Sequence, residues 1–298
     1  MGSVNSIISL VEEISFGEHY FEMALLFRNS MLINSMLSSS EVLYGVKNTH
    51  LEMLESCDKS LLVRLFGVPS SCSYEAVYLE TGILPVRFIL KGRRLMYYWT
   101  LLNKSEDELV KKFFDIQKEH SVKDDWIEQI QNDLNSLDID LNEQEIKVMK
   151  KEVFKSALKK KLQEKATVFL MNYREKHSKT QNLKSYKLQS YLSSNKLTTN
   201  EKKLLFSLRT RSIHVKRNYK NKYKFNMKCS LCEDQAEEET ESHLLKCPKI
   251  IAKIENNVAI NNAKYEDIFS ENIEEQITIT KIFNEVFKAK KVIIHNKI

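Results

Sequence analysis

Three cysteines and a histidine within nineteen residues carry the most specific chemistry in this 298-residue chain. Cys229-Ser-Leu-Cys232 is followed, after ten residues, by His243-Leu-Leu-Lys-Cys247, a C-x2-C-x10-H-x3-C spacing. The two-residue gap lets both sulfurs turn inward from one tight knuckle. The three-residue gap sets His243 and Cys247 one turn apart on a helix face. Thiolate and imidazole are ligands that zinc favours, and four of them close a tetrahedral site with no position left for water. The spacing therefore predicts one structural Zn2+ rather than a catalytic ion. So short and loop-rich a segment has little core of its own, and the metal would supply its folding energy. Cys57 and Cys72, the other two of the five cysteines, fall in apolar surroundings and read as small buried hydrophobes.

Just ahead of the knuckle lies a second constellation. Between Glu201 and Lys228 stand ten basic side chains (Lys202, Lys203, Arg209, Arg211, Lys216, Arg217, Lys220, Lys222, Lys224, Lys228) against one acidic, in a chain whose formal net charge is only +6. His214, Tyr219, Tyr223 and Phe225 are interleaved among them. Basic side chains neutralise phosphates and aromatic faces stack on exposed bases, so the pattern points to nucleic acid, with a solvated loop as the plainer alternative. Glu233, Asp234, Glu237, Glu238, Glu239 and Glu241 follow directly, a contrasting acidic surface for a different partner. Two weaker basic features invite the same reading. Lys147, Lys151 and Lys155 recur every four residues in a lysine-rich helix reaching Lys165, and Arg87, Arg93 and Arg94 lie on the helix opened by Pro85. A wet helix face explains either of them as well.

The elements that must hold these groups are helical. Only 6 glycines and 3 prolines occur, with 42% hydrophobic and 29% charged residues. That scarcity argues against sandwiches, barrels and Rossmann-type folds and favours an all-α fold: a helical bundle, a second helical region and a small zinc-binding knuckle. Apolar spacing predicts helices over 18–41, from Asn48 or Thr49 to Gly67, over 73–80, and from Pro85 to Leu102. Ser105 and Glu108 form a capping box before the next helix, Asp124 caps the one after it, and Asn142 opens a long one towards Tyr173. Leu183–Leu192, a helix capped by Thr199, 250–262 and 273–290 complete the series. The segments read as 1–103, 104–200, 201–250 and 251–298.

No apolar run approaches the roughly 18–20 residues of a membrane span, and no signal peptide is apparent, so an intracellular (cytoplasmic or nuclear) protein without membrane partners is expected. Gly2 and Ser6 fit a loose myristoylation pattern that an internal start explains more simply. No glycine-rich phosphate loop, His-Glu-x-x-His or nucleophile motif appears, so no small-molecule substrate is expected. The pair Asp124-Asp125 reads as a helix start rather than a metal-binding turn.

Several stretches are familiar in their order. Leu26-Phe27-Arg28-Asn29-Ser30, Ser40-Glu41-Val42-Leu43-Tyr44, Leu54-Glu55 with Asp58 and Leu61-Leu62, Tyr78-Leu79-Glu80-Thr81-Gly82-Ile83-Leu84-Pro85-Val86-Arg87 and Arg93-Arg94-Leu95-Met96-Tyr97 resemble the region after the palm in non-LTR retrotransposon reverse transcriptases of the jockey-like type. The knuckle with Glu241-Ser-His243 and Cys247-Pro248, and the closing Tyr265-Glu-Asp-Ile-Phe269 and Lys281-Ile-Phe283, resemble the end of such polymerases. The resemblance implies a thumb-like bundle to about residue 103 and a knuckle that grips template RNA or an RNA/DNA hybrid. It also implies a separate or missing fingers and palm portion: the aromatic-x-Asp-Asp turn is not found, and the 51 residues after Cys247 leave no room for a downstream nuclease. The expected function is a non-catalytic nucleic-acid-binding fragment of a transposable-element polymerase. The alternatives are a helical protein-interaction module with a structural zinc site and, more remotely, an enzyme subunit completed by a separate palm.

Overall fold

The computed structural model describes residues 5–6, 8–10, 19–69, 72–219, 222, 226–232, 237–254, 260 and 262–295. In chain order its α-helices of four residues or more are α1 (Tyr20–Phe27), α2 (Asn48–Leu65), α3 (Tyr74–Thr81), α4 (Val86–Leu102), α5 (Leu109–Glu119), α6 (Trp126–Ser136), α7 (Glu143–Val148), α8 (Lys151–Lys176), α9 (Ser190–Ser193), α10 (Thr199–Arg209), α11 (Glu241–Lys246), α12 (Pro248–Ile251) and α13 (Ile273–His295). The architecture is all-α. Among the described residues β pairing is confined to two isolated bridges, Thr81 with Leu188 and Lys228 with Glu238. No helix among them is long and apolar enough to cross a membrane. The chain divides into two compact units, and residues 1–103 contribute to both, so the units cut across the linear segments read from the sequence.

The first unit comprises residues 1–7, 27–60 and 83–173. The single helix expected over 18–41 is broken: a π-helical turn, Arg28–Ile33, follows α1, and Ser39 enters the left-handed region at φ 57°. The π turn carries Arg28, whose buried guanidinium clamps Asp58 (Nε–Oδ1 2.7 Å, Nη2–Oδ2 2.5 Å). Ile33, Leu37 and Val86 form a small core with Met36, Leu54 and Ile89 packed against it. Tyr97, Tyr98, Phe114 and Trp126 form a second, aromatic cluster with mostly edge-on rings 6.0–6.3 Å apart. Gly92 lets α4 approach α8 closely, because a Cβ there would stand 2.8 Å from Leu162 Cδ1.

The long helix expected from Asn142 breaks at Met149, whose backbone turns extended and whose carbonyl accepts from Trp99 Nε1 at 3.1 Å. Asn142 does cap α7, in a capping box with Glu145. Ahead of α5, only the return half of the expected box forms: Glu108 accepts from the Ser105 N–H, and the Ser105 hydroxyl makes no cap bond. Asp125, not Asp124, caps α6, accepting from the Glu128 N–H at 2.9 Å, while Asp124 takes φ 65°.

The second unit comprises residues 8–26, 61–82 and 174–298. Phe21, Phe66 and Phe206 stack in a row with centroids 4.9 and 4.5 Å apart. Around α10 and α13 the core continues through Leu205, Tyr265, Phe269 and Phe283. α10 starts one residue earlier than the sequence suggests, since Thr198 rather than Thr199 caps it, with Glu201 completing the box. Gly82 ends α3 at φ 65° where a Cβ would lie 2.6 Å from the Leu188 nitrogen, so only glycine fits. The helix expected at 183–192 shrinks to α9. Of that expected at 250–262, the first turn is α12, and much of the rest lies outside the described residues.

Candidate metal centre

The ladder that carries the first two cysteines is minimal. Cys229 N–H donates to the Glu237 carbonyl (3.0 Å) and Glu239 N–H to the Met227 carbonyl (2.8 Å), pinning two short extended stretches around the Lys228–Glu238 bridge. The chain then turns through Ser230 and Leu231, and the Leu231 N–H points at Cys229 Sγ (3.5 Å). Past Glu239, Thr240 caps α11 by accepting from the His243 N–H at 3.0 Å, which fixes the turn on which His243 stands. Cys247 follows at the junction of α11 and α12, where its carbonyl accepts from the N–H groups of Ile250 and Ile251, both at 3.0 Å. Leu231, Leu244, Leu245 and Ile250 are buried beneath these residues.

All four side chains are buried, and their ligand atoms lie within 4.8 Å of one another. Cys232 Sγ stands 3.5 Å from His243 Nε2. The other ring nitrogen, Nδ1, is hydrogen-bonded to the Glu237 carboxylate, which orients the imidazole with Nε2 towards the sulfurs. Burial pushes the Cys232 thiol up to about 12, with the neighbouring Cys229 adding to the effect. Burial likewise raises Cys247. Burial opposes ionisation of Cys229 too, yet the N–H groups of Cys232 and Leu231 and the nearby His243 more than reverse it, so this thiol lies below its ordinary value. His243 is displaced upwards: burial favours the neutral ring, but the bonds to Glu237 and Cys229 outweigh it. The predicted cluster is thus assembled, and it could hold one metal ion.

The basic segment is only partly a surface. Lys202 is fully buried. Arg209 is 3% exposed, with Nε and Nη2 on the Glu80 carboxylate at 2.8 and 3.0 Å. Neither can reach a phosphate, which corrects the expectation for both; the partner of Arg209 is supplied by an element remote in sequence. Lys203 is half-buried with its ammonium 4.7 Å from the centre of the Tyr20 ring. Arg211 is half-buried at φ 48° and lies beside Tyr265. Lys216 donates to the Lys228 carbonyl (2.7 Å) and Arg217 pairs with Glu238 (2.6 Å), so both tie the segment to the knuckle. The Tyr219 hydroxyl donates to the Ser212 carbonyl and its ring lies against His214. Lys222 is exposed; Lys220, Tyr223 and Lys224 lie outside the described residues.

The three arginines of α4 serve the first unit internally. Arg94 is buried on Asp133 at 2.7 Å, which corrects its reading as a surface cation. Arg87 makes a two-point bridge to Glu55 (2.6 and 2.7 Å) and lies over the Phe169 ring. Arg93 donates to the Leu37 carbonyl and to Asn34. Sequence reasoning missed Glu237 and Thr240 as the groups that position His243, and missed Glu80. Of these, only Thr240 carried a local signal, as a hydroxyl just ahead of a helix.

The chain matches no protein-family model, no curated protein and no solved structure.

Proposed function

We propose that this chain is a non-catalytic nucleic-acid-binding protein, in which one structural Zn2+ at Cys229, Cys232, His243 and Cys247 stiffens a basic surface for RNA or an RNA/DNA hybrid. The observation that carries the reading is the joining of a closed four-ligand set to a cationic segment. With Lys202 and Arg209 set aside, eight basic side chains remain against one acidic in 201–228, and Lys216 and Arg217 bind that segment to the knuckle. Zinc fits the donor set. Tetrahedral Zn–S and Zn–N bonds of about 2.3 and 2.0 Å put neighbouring sulfur and nitrogen donors about 3.5 Å apart. Cys232 Sγ and His243 Nε2 already stand 3.5 Å apart. With four protein ligands no coordination position remains for a substrate, which favours a structural role.

The resemblance to the C-terminal part of jockey-like reverse transcriptases supports the same partner class. It also supports a missing or separate polymerase palm. The adjacent aspartates, Asp124 and Asp125, sit at a helix start, with Asp125 occupied as a cap.

An electrophoretic mobility titration of the zinc-loaded protein with matched RNA, DNA and hybrid, repeated across salt, tests the proposal. If about five cations meet single-strand phosphates, log K falls with log[salt] at a slope near −3.5, from about −0.7 per contact. Replacing Lys220, Lys222, Lys224 and Lys228 by Ala flattens the slope by up to about 3. Affinity that is absent, or unchanged in both size and slope by the four replacements, overturns it.

A further inference from the structure

We propose that the groove between α4 and α8, within the first unit, is a docking site for an acidic amphipathic helix of a partner protein. The groove measures about 520 Å³. Its floor is aliphatic: Leu84, Ile89 and Met96 face Leu158 and Leu162, and Gly92 contributes no side chain to fill it. The lining runs from Ile89 to Thr100 on α4 and from Lys151 to Leu162 on α8, about 16 Å on each helix, which is the length of three helical turns.

One rim is cationic in a regular way. Lys151, Lys155 and Lys159 line the groove one turn apart, about 6 Å per step, and all three are exposed. Their ammonium groups make no ion pair among the described residues. Their neighbours Lys147, Lys161 and Lys165 are instead paired, with Glu106, Glu164 and Asp138. Lys150 and Lys160 are exposed and unpaired among the described residues as well, but they do not line the groove; the row Lys151, Lys155 and Lys159 brings three unneutralised charges to its rim. Carboxylates at i, i+4 and i+8 of an incoming helix match the spacing, and apolar side chains on its other stripe match the floor.

Glu41 sharpens the choice of occupant. It lines the groove from the Ser40–Val42 turn, and its Oε2 is shut off from solvent with no hydrogen-bond partner. That carboxylate oxygen asks for a donor, which neither a phosphate nor the carboxylates of the incoming helix can supply, so a neutral donor such as Ser or Gln on the apolar edge of a docked helix must stand opposite it. Among the lining residues Tyr97 alone offers an aromatic face for a base, so a protein helix suits the groove better than a single strand.

The test uses the zinc-loaded full chain and a fluorescein-labelled designed peptide of about 14 residues, with Leu at i, i+3, i+4 and i+7 and Glu on the adjoining stripe. Fluorescence anisotropy should show saturable binding. Replacing Lys151, Lys155 and Lys159 together by Gln should weaken it about tenfold, the effect of losing three exposed ion pairs. The same peptide with Gln for Glu should lose a similar factor, and Met96→Lys should remove binding while circular dichroism stays unchanged. Failure to saturate, or full affinity in either variant, overturns the proposal. So does single-stranded RNA that displaces the peptide, loses affinity in the triple variant and ignores Met96→Lys, since the lysine row would then be a phosphate surface. Zinc content and the salt slope set by residues 201–228 are separate readouts, so the two proposals fail independently.

Discussion

Arg209→Ala should unfold the second unit rather than weaken nucleic-acid binding at the surface. The guanidinium donates to both Glu80 oxygens (2.8 and 3.0 Å), to the Ile268 carbonyl (2.5 Å) and to Gln189 Oε1 (3.3 Å), and it lies 5.5 Å from the centres of the Tyr191 and Phe269 rings. Glu80 is 1% exposed, and without Arg209 only the Tyr191 hydroxyl, at 2.7 Å, still binds its carboxylate among the described residues. Removing one partner of such a pair leaves a stranded charge and costs about 3–5 kcal/mol. The exposed pair Arg217–Glu238 is the internal control, and Arg217→Ala should cost no more than about 1 kcal/mol. Urea unfolding followed by far-UV circular dichroism reads both. The combined replacement of Arg209 and Glu80 by Met should recover much of the loss, because a buried apolar pair has no charge to desolvate. An Arg209→Ala loss equal to that of Arg217→Ala would refute the argument, since Glu80 would then have found water. A drop in RNA affinity at undiminished stability would restore Arg209 to the surface.

Elemental analysis of thiol-protected protein should return one zinc per chain, and Cys232→Ser should abolish it while leaving the first unit's helices intact by hydrogen exchange; retained zinc in that variant would exclude the four-ligand set. Asp125 supplies a pH-dependent increment. Burial opposes its charge, but the Glu128 N–H, the Ser121 hydroxyl and the Val122 N–H outweigh that and hold the carboxyl below its ordinary value. The native state therefore releases this proton more readily than the unfolded chain, so the stabilisation is full above the ordinary carboxylate range and fades as pH falls through the lowered value. Asp125→Ala should cost about 1 kcal/mol near neutral pH and progressively less in acid. A cost that does not change with pH would show that the cap works without its charge.

The metal cluster was legible because its determinants are local. Two short gaps place pairs of ligands, and Thr240 caps α11 just ahead of His243, all within nineteen residues. The helical class was legible for the same reason, from apolar spacing and scarce glycine. What failed were features with distant causes. The helix through Met149 breaks where Trp99, 50 residues earlier, takes the freed carbonyl. A π turn interrupts the helix after α1 at the point where Arg28 finds Asp58, 30 residues on. No window of ten or twenty residues holds either partner.

The same distinction governs the charge reading. A local count treats every arginine and lysine in 201–228 as surface, but Arg209 finds its carboxylate 129 residues back at Glu80, and Lys202 is wholly enclosed. On α4, Arg87 and Arg94 are likewise consumed by Glu55 and Asp133. Guanidinium, with its fixed fork of donors, is suited to such buried carboxylates, whereas ammonium is more strongly hydrated and more often stays at the edge, Lys111, Lys202 and Lys290 being exceptions here. Lysines that remain exposed are therefore better markers of a binding surface here than arginines. Among the described residues, Lys222 and Lys228 stay exposed beside the knuckle, and Lys151, Lys155 and Lys159 stay exposed and unpaired over an aliphatic groove. In the two proposals, it is these surroundings rather than the charge itself that distinguish phosphate from a protein helix as the partner.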